Sequence, residues 1–90
     1  MKNKEKEMER VLKALANHRR LAILAFLKKK GEGSVGEIGE EIRLSFRATS
    51  RHLSVLYAAN VLERQQRSLQ VFYKISKESS PTLRALFSLL

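Results

Sequence analysis

A mainly α fold carrying one β-hairpin, in the order α-α-α-α-β-β-α, is what this sequence of 90 residues predicts. Three observations predict it. Apolar residues recur at helical three-and-four spacing from the N-terminus to Asn60, and the pattern then changes to β-branched and aromatic residues between Val61 and Ser76. A Ser80-Pro81 pair finally restarts a helix, a cap followed by proline in the first turn. The length allows one domain, residues 1–90. A domain this small buries a modest fraction of its surface, so added stability from self-association is expected.

From about Lys4 to Ala16, Met8, Val11, Leu12 and Leu15 form an apolar stripe opposite Lys6, Glu7, Arg10 and Lys13, which predicts an amphipathic helix. Asn17 stands where an N-cap belongs, and a second helix follows from His18 to about Lys30. Its middle, Leu-Ala-Ile-Leu-Ala-Phe-Leu, is apolar on every side, the mark of a central buried helix. Lys28, Lys29 and Lys30 suit the negative end of its dipole, and Gly31 can stop it.

Ser34 opens a third, shorter helix, where Ser-Val-Gly-Glu fits the pattern in which Ser34 and Glu37 cap each other's backbone N–H groups. Val35, Ile38 and Ile42 make its buried edge, with Glu37, Glu40 and Glu41 outside. That helix ends near Arg43, and only Leu44 and Ser45 separate it from a fourth running to Asn60, so residues 34–59 form a helix-turn-helix. In the fourth helix Thr49, Leu53 and Leu56 form the apolar stripe, with Arg47, Ser50, Arg51 and Ser54 on the opposite side. Asn60 tolerates the left-handed backbone that ends a helix. Residues 61–76 then make the hairpin, turning near Ser68, and residues 80–90 make the last helix.

The formal net charge of +9 and a pI near 10.4 point to a polyanionic partner, nucleic acid or an acidic membrane. The excess is uneven: +7 in residues 1–30, −3 in 31–46, +4 in 47–76 and +1 in 77–90. No cysteine is present, which excludes a disulfide framework, a thiolate metal site and thiol redox sensing. No run reaches the roughly 18 apolar residues of a membrane span, and Met-Lys-Asn-Lys-Glu-Lys-Glu lacks the apolar core of a signal peptide, so a cytoplasmic chain is expected. His18 and His52 have no acidic or cysteine cluster of ligand spacing beside them, and no metal or other cofactor is expected. Nothing resembles a nucleophile elbow, a carboxylate pair or a phosphate-cradling glycine loop; an enzyme is not expected.

Between Arg47 and Lys74 there is a single carboxylate, Glu63. The face made by Arg47, Ser50, Arg51 and Ser54 therefore offers positive charge and hydrogen-bond donors on a rod of the width that fits the DNA major groove. A merely solvated polar face is the competing account. Arg64 and Arg67, with Gln65 and Gln66, line the hairpin, either as a solubilising surface or, for Arg67 near the tip, in contact with phosphate or the minor groove.

Several strings resemble the ArsR/SmtB family of small winged-helix repressors. Leu-Ala-Asn-His-Arg-Arg-Leu-Ala-Ile-Leu is similar to that family's second-helix entry, Ser-Arg-His-Leu within Leu44–Leu56 to its recognition helix, and Val-Phe-Tyr-Lys-Ile to its second wing strand, the likeness spanning residues 8–76. It implies a winged helix-turn-helix and a homodimer that binds double-stranded DNA at a palindromic operator, most simply as a repressor. It implies DNA contact at Arg47, Ser50, Arg51 and Ser54; with that helix in the groove, Arg64 and Arg67 of the hairpin are the further candidate DNA contacts. In such a dimer the terminal helices, residues 1–16 and 80–90, pack together through Met8, Val11, Leu12, Leu15, Leu83, Leu86, Phe87 and Leu90, the competing account being that the last helix folds back on its own core.

The departures from the family pattern are specific. Arg43 stands where many members have glycine, which costs roughly 1 kcal/mol in a left-handed backbone or else requires a looser turn. Ser68 replaces a frequent wing-tip glycine, and Leu69 beside it is apolar for an exposed tip. The cysteine pair of metal-sensing members is absent from the start of the third helix, and the last helix has neither Asp nor His, so neither sensing site can be built. Two other classes fit the charge: a sequence-neutral nucleic-acid architectural protein, and a winged-helix module that docks on an acidic protein.

Overall fold

A computed structural model describes residues 3–78 and 81–90. Helix α1 (Lys4–Leu15) starts on Asn3, whose side chain accepts from the Lys6 N–H at 3.0 Å. Helix α2 (His18–Lys30) starts on Asn17, whose Oδ1 accepts from the N–H groups of Arg19 and Arg20, and it stops at Gly31, where φ is 93°. A left-handed φ of this kind is open to glycine without a Cβ clash.

Helix α2 is not buried on every side. Ile23, Leu24 and Leu27 face the core, whereas Leu21 and Ala22 are exposed and Ala25 and Phe26 half-buried. The neighbouring helices cover only part of its circumference, so its uniformly apolar sequence leaves two open grooves, one on each flank. One is lined by Ala22, Phe26 and Ile42, the other by Leu21, Leu24 and Phe87.

A short strand that sequence periodicity did not reveal follows α2. Strand β1 (Gly33–Ser34) precedes helix α3 (Val35–Ile42), helix α4 (Phe46–Ala58), strands β2 (Leu62–Arg67) and β3 (Gln70–Ile75), and helix α5 (Pro81–Phe87). The strands form an antiparallel sheet in the order β1-β3-β2, with Gly33 opposite Tyr73 and Leu62 opposite Ile75. A third strand matters because an isolated hairpin is marginal in water. The loop between β2 and β3 is the pair Ser68-Leu69, with Ser68 at φ 58°. Ser80, expected as the cap of the last helix, lies outside the described residues.

At α3 both halves of the capping box form: Glu37 N–H donates to Ser34 Oγ at 3.1 Å, and Ser34 N–H to Glu37 Oε1 at 2.9 Å. The turn after α3 is not loosened by its arginine. Arg43 takes φ 59°, ψ 49°, and the Leu44 N–H reaches back to the Gly39 carbonyl at 2.9 Å. Close helix packing drives this geometry, since a Cβ on Gly39 would lie 2.9 Å from Thr49 Oγ1 and 3.1 Å from the Leu44 carbonyl.

The core lies where α2, α3, α4 and the base of the sheet meet: Ile23, Leu24, Leu27, Ile38, Leu53, Leu56 and Val61 are buried there, and Leu83 of α5 closes the cluster. Lys28 Nζ donates to the Phe87 carbonyl at 2.7 Å, tying the end of α2 to the end of α5.

Candidate nucleic-acid interface

Helix α4 is held firmly on one side and open on the other. Ser45 Oγ accepts from the Ala48 N–H at 3.1 Å, and Thr49 Oγ1 donates to the Ser45 carbonyl at 2.8 Å. Thr49, Leu53 and Leu56 are fully buried. On the outer side Arg47, Arg51 and Ser54 are exposed and Ser50 is half-buried. Together with Phe46 these four residues line one shallow concavity. The helix has no carboxylate, and neither Arg47 nor Arg51 has an ion-pair partner among the described residues. Both guanidiniums are therefore available to an anion.

The two wing arginines differ. Arg64 lies over the ring of Tyr57, its guanidinium carbon 4.0 Å from the centroid, which carries the basic surface from the end of α4 onto β2. Arg67 is engaged elsewhere: Nη1 and Nη2 donate to Glu32 Oε2 and Oε1 at 2.7 and 2.9 Å, and its guanidinium carbon sits 4.7 Å from the centroid of Phe72. The Arg67 hydrogen bonds hold the Glu32 carboxyl below the usual carboxylate range. In the free chain, Arg67 ties the wing to the loop after α2, and its charge is offset.

His52, on the α4 flank nearest α2, has Nδ1 3.3 Å from Arg20 Nη1. Burial, then the charges of Arg20, Arg19, Arg51 and His18, push its pKa below the ordinary histidine value. Among the described residues, no three His, Cys, Asp or Glu side chains gather as metal ligands would.

The eight apolar residues assigned to dimerisation separate into two groups. Leu15, Leu83 and Phe87 are buried in the chain's own core, Leu83 and Phe87 because α5 folds back onto α2. Met8, Leu12 and Leu90 remain exposed and Val11 and Leu86 half-buried. Leu12, Leu21, Leu89 and Leu90 rim a groove whose floor includes Leu15, Leu24 and Phe87.

Four participants escaped sequence reasoning: Phe46, Tyr57, Glu32 and strand β1. Helical spacing leaves Phe46 ambiguous, since it stands one turn from Ser50 on the open face and one turn from Thr49 on the buried stripe. Glu32 and Arg67 are 35 residues apart, and no local pattern links them.

The family model for bacterial regulatory proteins of the arsR family matches residues 17–64, from the cap of α2 to the first strand of the wing. The transcriptional activator HlyU of Vibrio cholerae is 39% identical over 80 residues, covering 89% of this chain and 70% of that protein. Its solved structure superposes with a TM-score of 0.83 at 35% identity, over 99% of this chain and 92% of the other. The biofilm growth-associated repressor of Agrobacterium fabrum is 30% identical over 90 residues, 99% of this chain and 76% of the relative. A homodimeric winged helix-turn-helix DNA-binding domain, Mb0332 of Mycobacterium bovis, described as a possible ArsR-family regulator, superposes with a TM-score of 0.81 at 30% identity, over 94% of this chain and 75% of that one. The matched segment holds the helix-turn-helix whose outer face carries the free arginines, and on this agreement of sequence and fold the chain belongs to the arsR family of bacterial regulatory proteins.

Proposed function

We propose that the chain is a homodimeric transcriptional regulator that binds double-stranded DNA sequence-specifically and represses by occupying a palindromic operator. One observation carries this reading: a helix buried along Thr49, Leu53 and Leu56 presents Arg47, Ser50, Arg51 and Ser54 outward with no carboxylate among them. Arginine can bond guanine bidentately, and serine can bond a base edge or a phosphate. Arg64, steadied by Tyr57, supplies a wing contact; Arg67 joins it when released from Glu32.

The exposed apolar rim along α1 and α5 supports pairing of the terminal segments, residues 1–16 and 80–90, across a two-fold axis. Such a dimer sets two copies of α4 in successive major grooves about 34 Å apart. The named relatives include both an activator and a repressor, so one scaffold serves both outcomes. Steric exclusion at an operator needs only binding, which is why repression is the simpler assignment here. The chain acts by binding rather than catalysis, in the cytoplasm, without a metal. No helix among the described residues is long and apolar enough to cross a membrane.

Selection of bound duplexes from a random pool tests the reading. A two-fold symmetric site with half-sites one helical turn apart is the expected product. Arg51→Ala should then weaken binding to that site by about 1–3 kcal/mol while leaving thermal stability unchanged, because Arg51 is exposed. Binding with steep salt dependence and no preferred sequence would identify an architectural protein instead, and no binding at low salt a protein-docking module.

A further inference from the structure

Phe46 is the first residue of α4 and is 66% exposed. No place in the core of the described residues accounts for it. Ser45 supplies the cap, and Phe46, although it stands at helical spacing to Thr49 and Leu53 of the buried stripe as well as to Ser50, belongs neither to the core cluster nor to the residues packed against it. It shares the outward concavity with Arg47, Ser50, Arg51 and Ser54. Phe46, Ser50 and Ser54 follow one another at successive turns, so the ring stands at the leading end of the row.

That position has a chemical meaning if α4 enters the major groove. The N-terminal residues of a recognition helix are the ones that reach base edges. A phenyl ring has no hydrogen bond to offer, and it would strip water from any donor or acceptor it covered without replacing the lost bond. The major-groove edges present one apolar group, the C5-methyl of thymine. We propose that Phe46 is a specificity-determining residue that selects thymine in each half-site by packing against this methyl, beside the base pairs contacted by Arg47 and Arg51. The inference rests on the DNA-binding reading above and adds to it a base identity and the residue that chooses it.

The test uses the full chain and the duplex recovered by pool selection. Each thymine of a half-site, with its symmetry mate, is replaced in turn by deoxyuridine, which removes the methyl and keeps Watson–Crick pairing. At one thymine position the wild-type chain should lose about fourfold in affinity per half-site, the value of one buried methyl-sized group. Phe46→Ala should bind the thymine and deoxyuridine duplexes alike. Its melting temperature should match that of the wild type, since the side chain is mostly in solvent, and this separates recognition from folding.

Two results overturn the proposal: a wild-type chain indifferent to methyl loss at every thymine, or a Phe46→Ala variant that keeps the full deoxyuridine penalty, which would assign the methyl to another side chain. If the pool yields no preferred sequence, the reading as a sequence-specific regulator fails first and the role of Phe46 with it. That failure is distinct, because it appears before any thymine is altered.

Discussion

Arg20 joins three helices through one guanidinium, and its Nη1 lies 3.3 Å from Nδ1 of His52. Its Nε donates to the Ala14 carbonyl and Nη2 to that of Lys13 at 3.4 Å, so the open C-terminal turn of α1 is closed by a side chain of α2 that also reaches α4. An arginine can only donate, and Nδ1 of His52 must therefore accept, which requires the neutral imidazole.

The first prediction follows from that requirement. Burial and the nearby cations Arg20, Arg19 and Arg51 hold the His52 pKa below its ordinary value in the folded chain, whereas the unfolded chain titrates near 6.5. The neutral imidazole therefore contributes stability that is fully present above about pH 6.5; as pH falls, the unfolded state takes up the proton first and that contribution is lost down to the folded-state pKa. Melting temperatures measured from about pH 7.5 to about pH 5.5 should decline. His52→Gln keeps an acceptor near Arg20 without titrating, and it should flatten this slope. An unchanged slope would assign it to other groups.

The second prediction concerns the crossing of α3 and α4. A methyl at position 39 would meet Thr49 Oγ1 at 2.9 Å and the Leu44 carbonyl at 3.1 Å, both fixed by the turn, so Gly39→Ala forces the helices apart. Allowing for alanine's better helix propensity, we expect a net loss of about 1–2 kcal/mol. In the same helix Gly36→Ala meets only Ser34 Oγ at 4.0 Å and should be neutral or slightly stabilising. Thermal denaturation of the two variants side by side separates packing from propensity. Equal effects would remove the close approach as the cause.

What could be foreseen in this chain was what is encoded locally. Asn17, Ser34 with Glu37, and Ser45 act within three residues of themselves, and the stripe Thr49, Leu53, Leu56 is written at helical spacing. Strand β1 is two residues long and has no periodicity of its own; it exists because β3 lies beside it. The partial exposure of α2 was hidden because an apolar sequence does not say which of its sides a neighbour will cover. Arg43 kept the left-handed turn despite its side chain because Gly39 and Thr49 fix the spacing of the helices it joins. At the candidate interface, charge and hydroxyl pattern selected Arg47 and Arg51. Phe46 was passed over because only its exposure, a tertiary property, distinguishes it from a core aromatic.

A third prediction uses the Glu32–Arg67 pair. Both side chains are half-exposed, and in water such a pair contributes little to stability, so its consequence should show in binding. Glu32→Gln removes the carboxylate that holds Arg67 and leaves a cation at the wing for phosphate. DNA affinity at low salt should rise, and the slope of log affinity against log salt should steepen by about 0.9 for each protomer. Arg67→Ala in the Glu32→Gln background should return the slope to that of the wild type. Unaltered salt dependence in Glu32→Gln would mean that Arg67 stays on the wing.

The last prediction addresses the groove between α1, α2 and α5. Leu12, Leu89 and Leu90 are 43%, 81% and 45% exposed around a floor that includes Leu15, Leu24 and Phe87, an arrangement that leaves contiguous apolar surface in water unless a second copy covers it. Phe87 is a poor place to test this, because it is only 8% exposed and its replacement would damage the core. Leu12→Glu combined with Leu89→Glu changes the rim alone. Sedimentation should then report monomers with an unchanged helical signal. Operator affinity should fall steeply, because two half-sites bound independently lose the advantage of being held at one spacing. A dimer that survives both charges would place the two-fold axis elsewhere, and the other open flank of α2, where Ala22, Phe26 and Ile42 lie among His18, Arg19, Lys29 and Glu41, is one surface able to hold it.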